Sequence, residues 1–128
     1  MRLHLSFRFS RVLALVMLLA ACSETTGPVA GSFDVTPTGE GLAVSNYTER
    51  AVYLRAIESG RTPLDDWTPC VSAQCPSQAA GEKRVLPWSS VIGYGPDKKE
   101  FVVYWWHADT LPDRTLRPGP VNRVIVTR

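Results

Sequence analysis

The chain has 128 residues, with 14 Lys and Arg against 12 Asp and Glu and a formal net charge of +2. So small an excess gives no electrostatic ground for nucleic-acid binding, which needs a basic patch or stripe. The length leaves room for one small domain with a modest core.

The first apolar stretch is a targeting signal rather than part of that core. Arg2, Arg8 and Arg11 precede an uninterrupted apolar run over residues 12–22. A charged start, a short apolar region and small residues before a cut site describe a secretory signal. The run is too short to span a bilayer, which takes about 20 apolar residues. Glu24, Gly27 and Pro28 close it.

The run ends in Leu19-Ala20-Ala21-Cys22. This stretch resembles the lipobox of bacterial lipoproteins: an aliphatic residue, two small residues, then the cysteine that receives lipid. The resemblance implies a diacylglycerol on the Cys22 thiol, cleavage before Cys22 and often acylation of the new amine (palmitate among the expected chains). One acyl chain binds a membrane marginally, whereas each buried methylene adds about 0.8 kcal/mol, so two or three chains hold firmly. In Gram-negative lipoproteins an aspartate after the cysteine favours the inner membrane. Ser23 stands there, which implies the outer membrane, facing the periplasm, in a cell with two membranes. The alternative is an ordinary secretory signal with a chance cysteine.

Cleavage would take 21 residues from 128 and leave 107, with 11 of the 14 basic side chains against all 12 acidic ones. The basic balance thus belongs to the signal. Residues 22–32 are small, polar and punctuated by Gly and Pro, a flexible tether below the domain at 33–128. With Cys22 lipidated, Cys70 and Cys75 are an even pair in an exported chain and read as a disulfide. Two cysteines with no nearby histidine are too few for a closed zinc site, and a redox pair would more typically be separated by two residues.

The rest alternates strands and turns. Residues 33–37 alternate apolar and polar, and Pro37 suits an edge. Residues 42–46 and 51–58 are the next strands, the latter rich in β-formers. Residues 64–82 read as an irregular loop braced by the disulfide, with room for a short helical turn. Residues 83–88 start another strand, with Pro87 at an edge or bend, and 89–95 continue its pairing. Residues 100–107 form the strongest strand, apolar on both faces and therefore central. Residues 109–120 read as a second loop, and 121–128 close the sheet. No segment keeps a 3.6-residue apolar period. The expected fold is all-β: a small antiparallel sandwich of six or seven strands after the signal helix.

Leu42-x-Val44-x-Asn46, Val52-Tyr53, the Gly81-Glu82 turn before Val85, and Val102-Val103-Tyr104-Trp105 resemble extracellular Ig-like and fibronectin-like sandwich modules. The order of lipobox, tether and sandwich is similar to that of small bacterial lipoproteins. The cysteines depart from the immunoglobulin pattern, being too close to bridge two sheets. A weaker likeness, through the Asn46 and Gly81-Glu82 turns, is to a bacterial intracellular protease-inhibitor sandwich. Export counts against that activity here.

Four tryptophans and four tyrosines are many for one small domain. Trp67, Trp88, Trp106 and Tyr94 are candidate binding residues, since exposed rings stack on sugars or anchor protein partners. The competing reading places them in the core and under the 64–82 loop. Trp105 and Trp106 are adjacent in one strand and face opposite sides. His107 is a further candidate. A serine hydrolase using His107, Asp109 and Ser89 or Ser90 lacks the frame of a strained nucleophile turn. Asp65, Asp66, Asp109 and Asp113 lack calcium-loop spacing. Gly93-Tyr94-Gly95 is no phosphate loop, and the sequon at Asn46 reads as a turn. The expectation is a non-enzymatic, lipid-anchored binding or structural module of the cell envelope, without metal or cofactor. Its partner would be an envelope protein or, as the alternative, glycan or peptidoglycan held by Trp67 or Trp106.

Overall fold

The protein, a computed structural model, is described over residues 31–62 and 66–128. The signal at 1–21, Cys22, most of the tether and Asp65 lie outside the described residues. Among the described residues, nine strands follow in order: β1 (Phe33–Pro37), β2 (Gly41–Asn46), β3 (Val52–Glu58), β4 (Ser77–Gln78), β5 (Lys83–Pro87), β6 (Glu100–Trp106), β7 (Ala108–Thr110), β8 (Leu116–Pro118) and β9 (Asn122–Thr127).

Seven of them make an antiparallel sandwich. One sheet has the order β1-β2-β5 and the other β4-β3-β6-β9. The chain changes sheet between β2 and β3, between β4 and β5, and between β5 and β6, the Greek-key pattern of an Ig-like sandwich. Pro37 and Pro87 sit on the two edge strands of the smaller sheet, where a missing N–H breaks no ladder. β6 is interior, paired with β3 on one side and β9 on the other.

The core follows the two-residue period of the strands. Phe33, Val35, Leu42 and Val44 face Val52, Leu54, Ala56, Phe101, Val103 and Val126 across the sandwich. Phe101, Leu42 and Val44 are among the largest fully buried side chains. Truncating such a residue to alanine costs about 2–5 kcal/mol through lost transfer energy and the cavity left behind.

The turns use specific side chains. Gly41 begins β2 where the Leu86 and Pro87 backbone crosses so closely that a Cβ would overlap the Leu86 carbonyl oxygen. Asn46 is 1 % exposed, and its Nδ2 donates to the carbonyls of Arg50, Gln78 and Ala79. Its Oδ1 accepts from the Thr48 amide and hydroxyl. The side chain thus staples the β2–β3 turn to the chain after β4. The amide nitrogen is buried and fully engaged, so the residue serves the turn.

Three regions differ from expectation. The 64–82 stretch holds a strand, β4, and no helical turn among its described residues. Residues 89–95 do not continue β5. A 3-10 turn at Trp88–Ser90 carries the chain across, leaving one parallel bridge from Ile92 to Ile57. Residues 108–118 form a β7–β8 ribbon rather than a loop. Local hydrogen bonds explain the ribbon: Leu111 donates to the Thr115 carbonyl, and the Asp113 carboxylate accepts from the Thr115 amide and hydroxyl. Arg114 takes a positive φ of 67° to close the turn. Arg50 then holds the ribbon by donating to the Ala108 carbonyl and pairing with Asp109.

Candidate functional site

The site begins with an incompletely covered strand. β4 accompanies β3 only at Val52 and Tyr53. Beyond it, Leu54 donates its amide to the Pro76 carbonyl, and Ala56 accepts from the Ile92 amide. Among the described residues, no neighbouring strand is paired with β3 on this side from Leu54 to Ala56. The sandwich is therefore open between β3 and β5, and a cavity of about 620 Å³ lies there. That size falls within the range of small-molecule pockets, about 300–1,000 Å³.

Strand register decides which side chains reach it. In β5, Arg84 lies opposite Val44 and Leu86 opposite Leu42, so both point to the inner side of the sandwich. In β3, Leu54 and Ala56 face inward, while Arg55 lies beside Tyr104 on the outer face. The cavity touches both sets, together with Trp67, Trp106 and the two cysteines.

The disulfide loop forms the outer wall. Cys70 and Cys75 are bonded with Cα atoms 5.9 Å apart, inside the usual disulfide range. Trp106, 2 % exposed, donates its Nε1 proton to the Cys70 carbonyl at 2.9 Å. Trp67 is half-buried, its ring centroid 5.6 Å from that of Trp106 and 5.1 Å from that of Tyr104. The Arg55 guanidinium carbon lies 5.3 Å from the Trp67 centroid. The outer face of β6 is thus covered by the 66–76 segment, which is why this strand is apolar on both sides. Trp105, facing the other way, stacks on Phe33 at the margin of the core.

The remaining candidate residues lie elsewhere. Trp88 is buried at the end of the core, donating Nε1–H to the Gly39 carbonyl and packing on Tyr94 and Phe101. Arg128 covers this cluster, with its guanidinium carbon 5.2 Å from the Trp88 centroid and a hydrogen bond to the Tyr94 hydroxyl. His107 sits beyond the opposite end of β6. Its Nδ1 donates to the Ala51 carbonyl at 3.0 Å, and its ring meets the edge of Trp105. Phe101 beside Trp88 and His107 are separated by six positions of extended chain, roughly 20 Å at about 3.3 Å per residue. Ser89 and Ser90 follow Trp88, so they and His107 belong to opposite ends of the sandwich. The structure therefore brings Trp67, Trp106, Cys70 and Cys75 together, pairs Trp88 with Tyr94, and sets His107 apart.

Reading the residues alone missed Arg55 and Arg84. The available signal was Arg84 itself, a charge at an inward phase of the alternation in 83–87, visible once Leu86 is placed on the core side. Such an inward charge on an edge strand also discourages edge-to-edge pairing with other chains. Among the described residues there is no cluster of three or more potential metal ligands and no helix long and apolar enough to cross a membrane. No protein-family model, curated protein or solved structure matches the chain.

Proposed function

We propose that this chain is a lipid-anchored binding module of the cell envelope, tethered through acylated Cys22 and using the open edge between β3 and β5 as its contact site. The anchor rests on the basic start, the apolar run and the Leu19-Ala20-Ala21-Cys22 stretch. The observation that carries the binding role is the cavity of about 620 Å³, walled by a disulfide-braced loop and floored by an uncovered part of β3. A rigid wall on a sandwich edge is a pre-organised surface, and pre-organisation lowers the cost of binding. The partner is an envelope component within reach of the tether.

Glycan or peptidoglycan stacking has less behind it. Trp106 is buried, and Trp67 already packs against Arg55, Tyr104 and Trp106. The hydrolase reading that joins His107 to Ser89 or Ser90 likewise has less behind it, because those serines belong to the other end of the sandwich.

Two measurements test the reading. Fatty-acid labelling of the chain in its own cell should be lost in Cys22→Ala; persistent labelling would place the anchor elsewhere. A photo-crosslinking residue at Val85, exposed on the cavity rim, should capture an envelope component that the same group at Thr36 does not. Equal capture at both positions, or none at Val85, would remove the cavity as contact site.

A further inference from the structure

Two arginines reach the cavity from different sheets, and neither is fully satisfied. The Nε atoms of Arg55 and Arg84 are both buried and have no hydrogen-bond partner among the described residues. A guanidinium is always charged and only donates, so a buried N–H without an acceptor is unfavourable until one arrives. The groups around each arginine do not supply it. Trp67 offers Arg55 a ring face, which attracts the cation but leaves its in-plane donors unused. Glu82 lies 4.0 Å from Nη1 of Arg84, with both side chains more than a third exposed, a weak pair that leaves Nε untouched.

The backbone beside them is also incomplete. From Leu54 to Ala56 no strand among the described residues pairs with β3 on that side; the Leu54 amide is taken by the Pro76 carbonyl and the Ala56 carbonyl by the Ile92 amide, which leaves the Leu54 carbonyl and the Ala56 amide. An uncovered strand edge is a template for an extended chain, which adds main-chain hydrogen bonds while its side chains enter neighbouring pockets. The gap therefore offers main-chain pairing to one residue of a partner.

We infer that the cavity takes a peptide segment bearing a carboxylate, one residue of which pairs with the Leu54 carbonyl and the Ala56 amide while the carboxylate accepts from Arg55 and Arg84. This rests on the reading of the cavity as the module's binding site. The strand edge selects a peptide over a small acid, and the two guanidinium groups select an acidic peptide over a neutral one. Charge-assisted bonds from a planar guanidinium to a carboxylate are the strong, oriented kind. A sugar acid shares the carboxylate but has no peptide group to pair with the Leu54 carbonyl and the Ala56 amide.

The test uses the full-length chain in detergent micelles, uniformly labelled with ¹⁵N. The Nε–H signals of Arg55 and Arg84 are assigned through Arg55→Met and Arg84→Met. Three probes are titrated: an acetylated hexapeptide of alternating valine and threonine ending in glutamate, the same peptide ending in glutamine amide, and galacturonate. The acidic peptide should shift both signals saturably. The neutral peptide, and the acidic peptide on either methionine variant, should bind about tenfold more weakly, as expected for losing one charge-assisted contact. Arg55→Lys and Arg84→Lys keep the charge without the fork and should fall between. Unchanged amide signals of Phe101 and Val103 show that each variant is folded. Equal binding of neutral and acidic peptides would overturn carboxylate recognition while leaving the cavity a binding site. A response to galacturonate alone would overturn the peptide. No response to any probe would overturn the inference, whereas the broader reading stands or falls on the Val85 crosslink.

Discussion

Trp106 donates its indole proton to the carbonyl of Cys70 across 2.9 Å, tying the end of the central strand to the start of the disulfide loop. The bond joins residues 36 positions apart in the chain. It satisfies a buried indole N–H and sets where the cavity wall stands. Trp106→Phe keeps most of the ring and should lower unfolding free energy by about 1–2 kcal/mol, since a typical hydrogen bond is lost. Trp106→Ala should cost about 3–5 kcal/mol. Urea unfolding followed by circular dichroism measures both.

The disulfide closes a short loop, and chain entropy assigns it about 2 kcal/mol. Its Cys70→Ser/Cys75→Ser variant should remain folded, lose stability of that order, and release Trp67 from Tyr104 and Trp106. The expected signature is a red shift and faster quenching of tryptophan emission without loss of β-sheet signal. In protein isolated from its own cell without reductant, both cysteines should resist alkylation until reduced.

Gly41 is required by space rather than by φ. Its missing Cβ admits the Leu86–Pro87 backbone at the join of β2 and β5. Gly41→Ala forces two strands apart and should destabilise by about 1–3 kcal/mol, the usual cost of overpacking. Gly39→Ala, in open space two residues earlier, is the control and should have little steric effect in the same thermal melt.

Asn46 concentrates five hydrogen bonds at the junction of β2, β4 and β5. Asn46→Ala strands several buried partners at about 1–3 kcal/mol for each group left unsatisfied. The variant should be among the least stable single substitutions in the sandwich. Asn46→Asp keeps the acceptor for Thr48 but places a carboxylate against three carbonyls, and should be no better in a denaturation series.

Asp113 carries a pH signature. The Thr115 hydroxyl, then the Thr115 amide, hold its carboxyl below the usual carboxylate value. A folded-state value below the unfolded one means the turn is favoured above the unfolded value. That preference is lost as pH falls through the folded value. The Asp113 carboxyl carbon should titrate below its value in Thr115→Val, with the β7–β8 amides changing in step.

Much of the sandwich was legible along the chain because strands carry a two-residue period and edges carry proline. The alternation in 33–37 and 42–46, the apolar run at 100–106, and Pro37 and Pro87 each place a strand and its position. The β7–β8 ribbon was not legible, since its hydrogen bonds are few and depend on Asp113 and Arg50 rather than on apolar alternation. Cys70 and Cys75, the even pair left once Cys22 is assigned to lipid, pointed to the disulfide without the fold. The binding surface was a different matter. Whether a tryptophan is buried, and whether Arg55 and Arg84 share a cavity, follow from register between strands far apart in the chain. β4 stops after two residues and the chain crosses at Trp88, and those two events leave β3 uncovered. Periodicity is local and is written in each segment, whereas an open edge arises only where non-local pairings end.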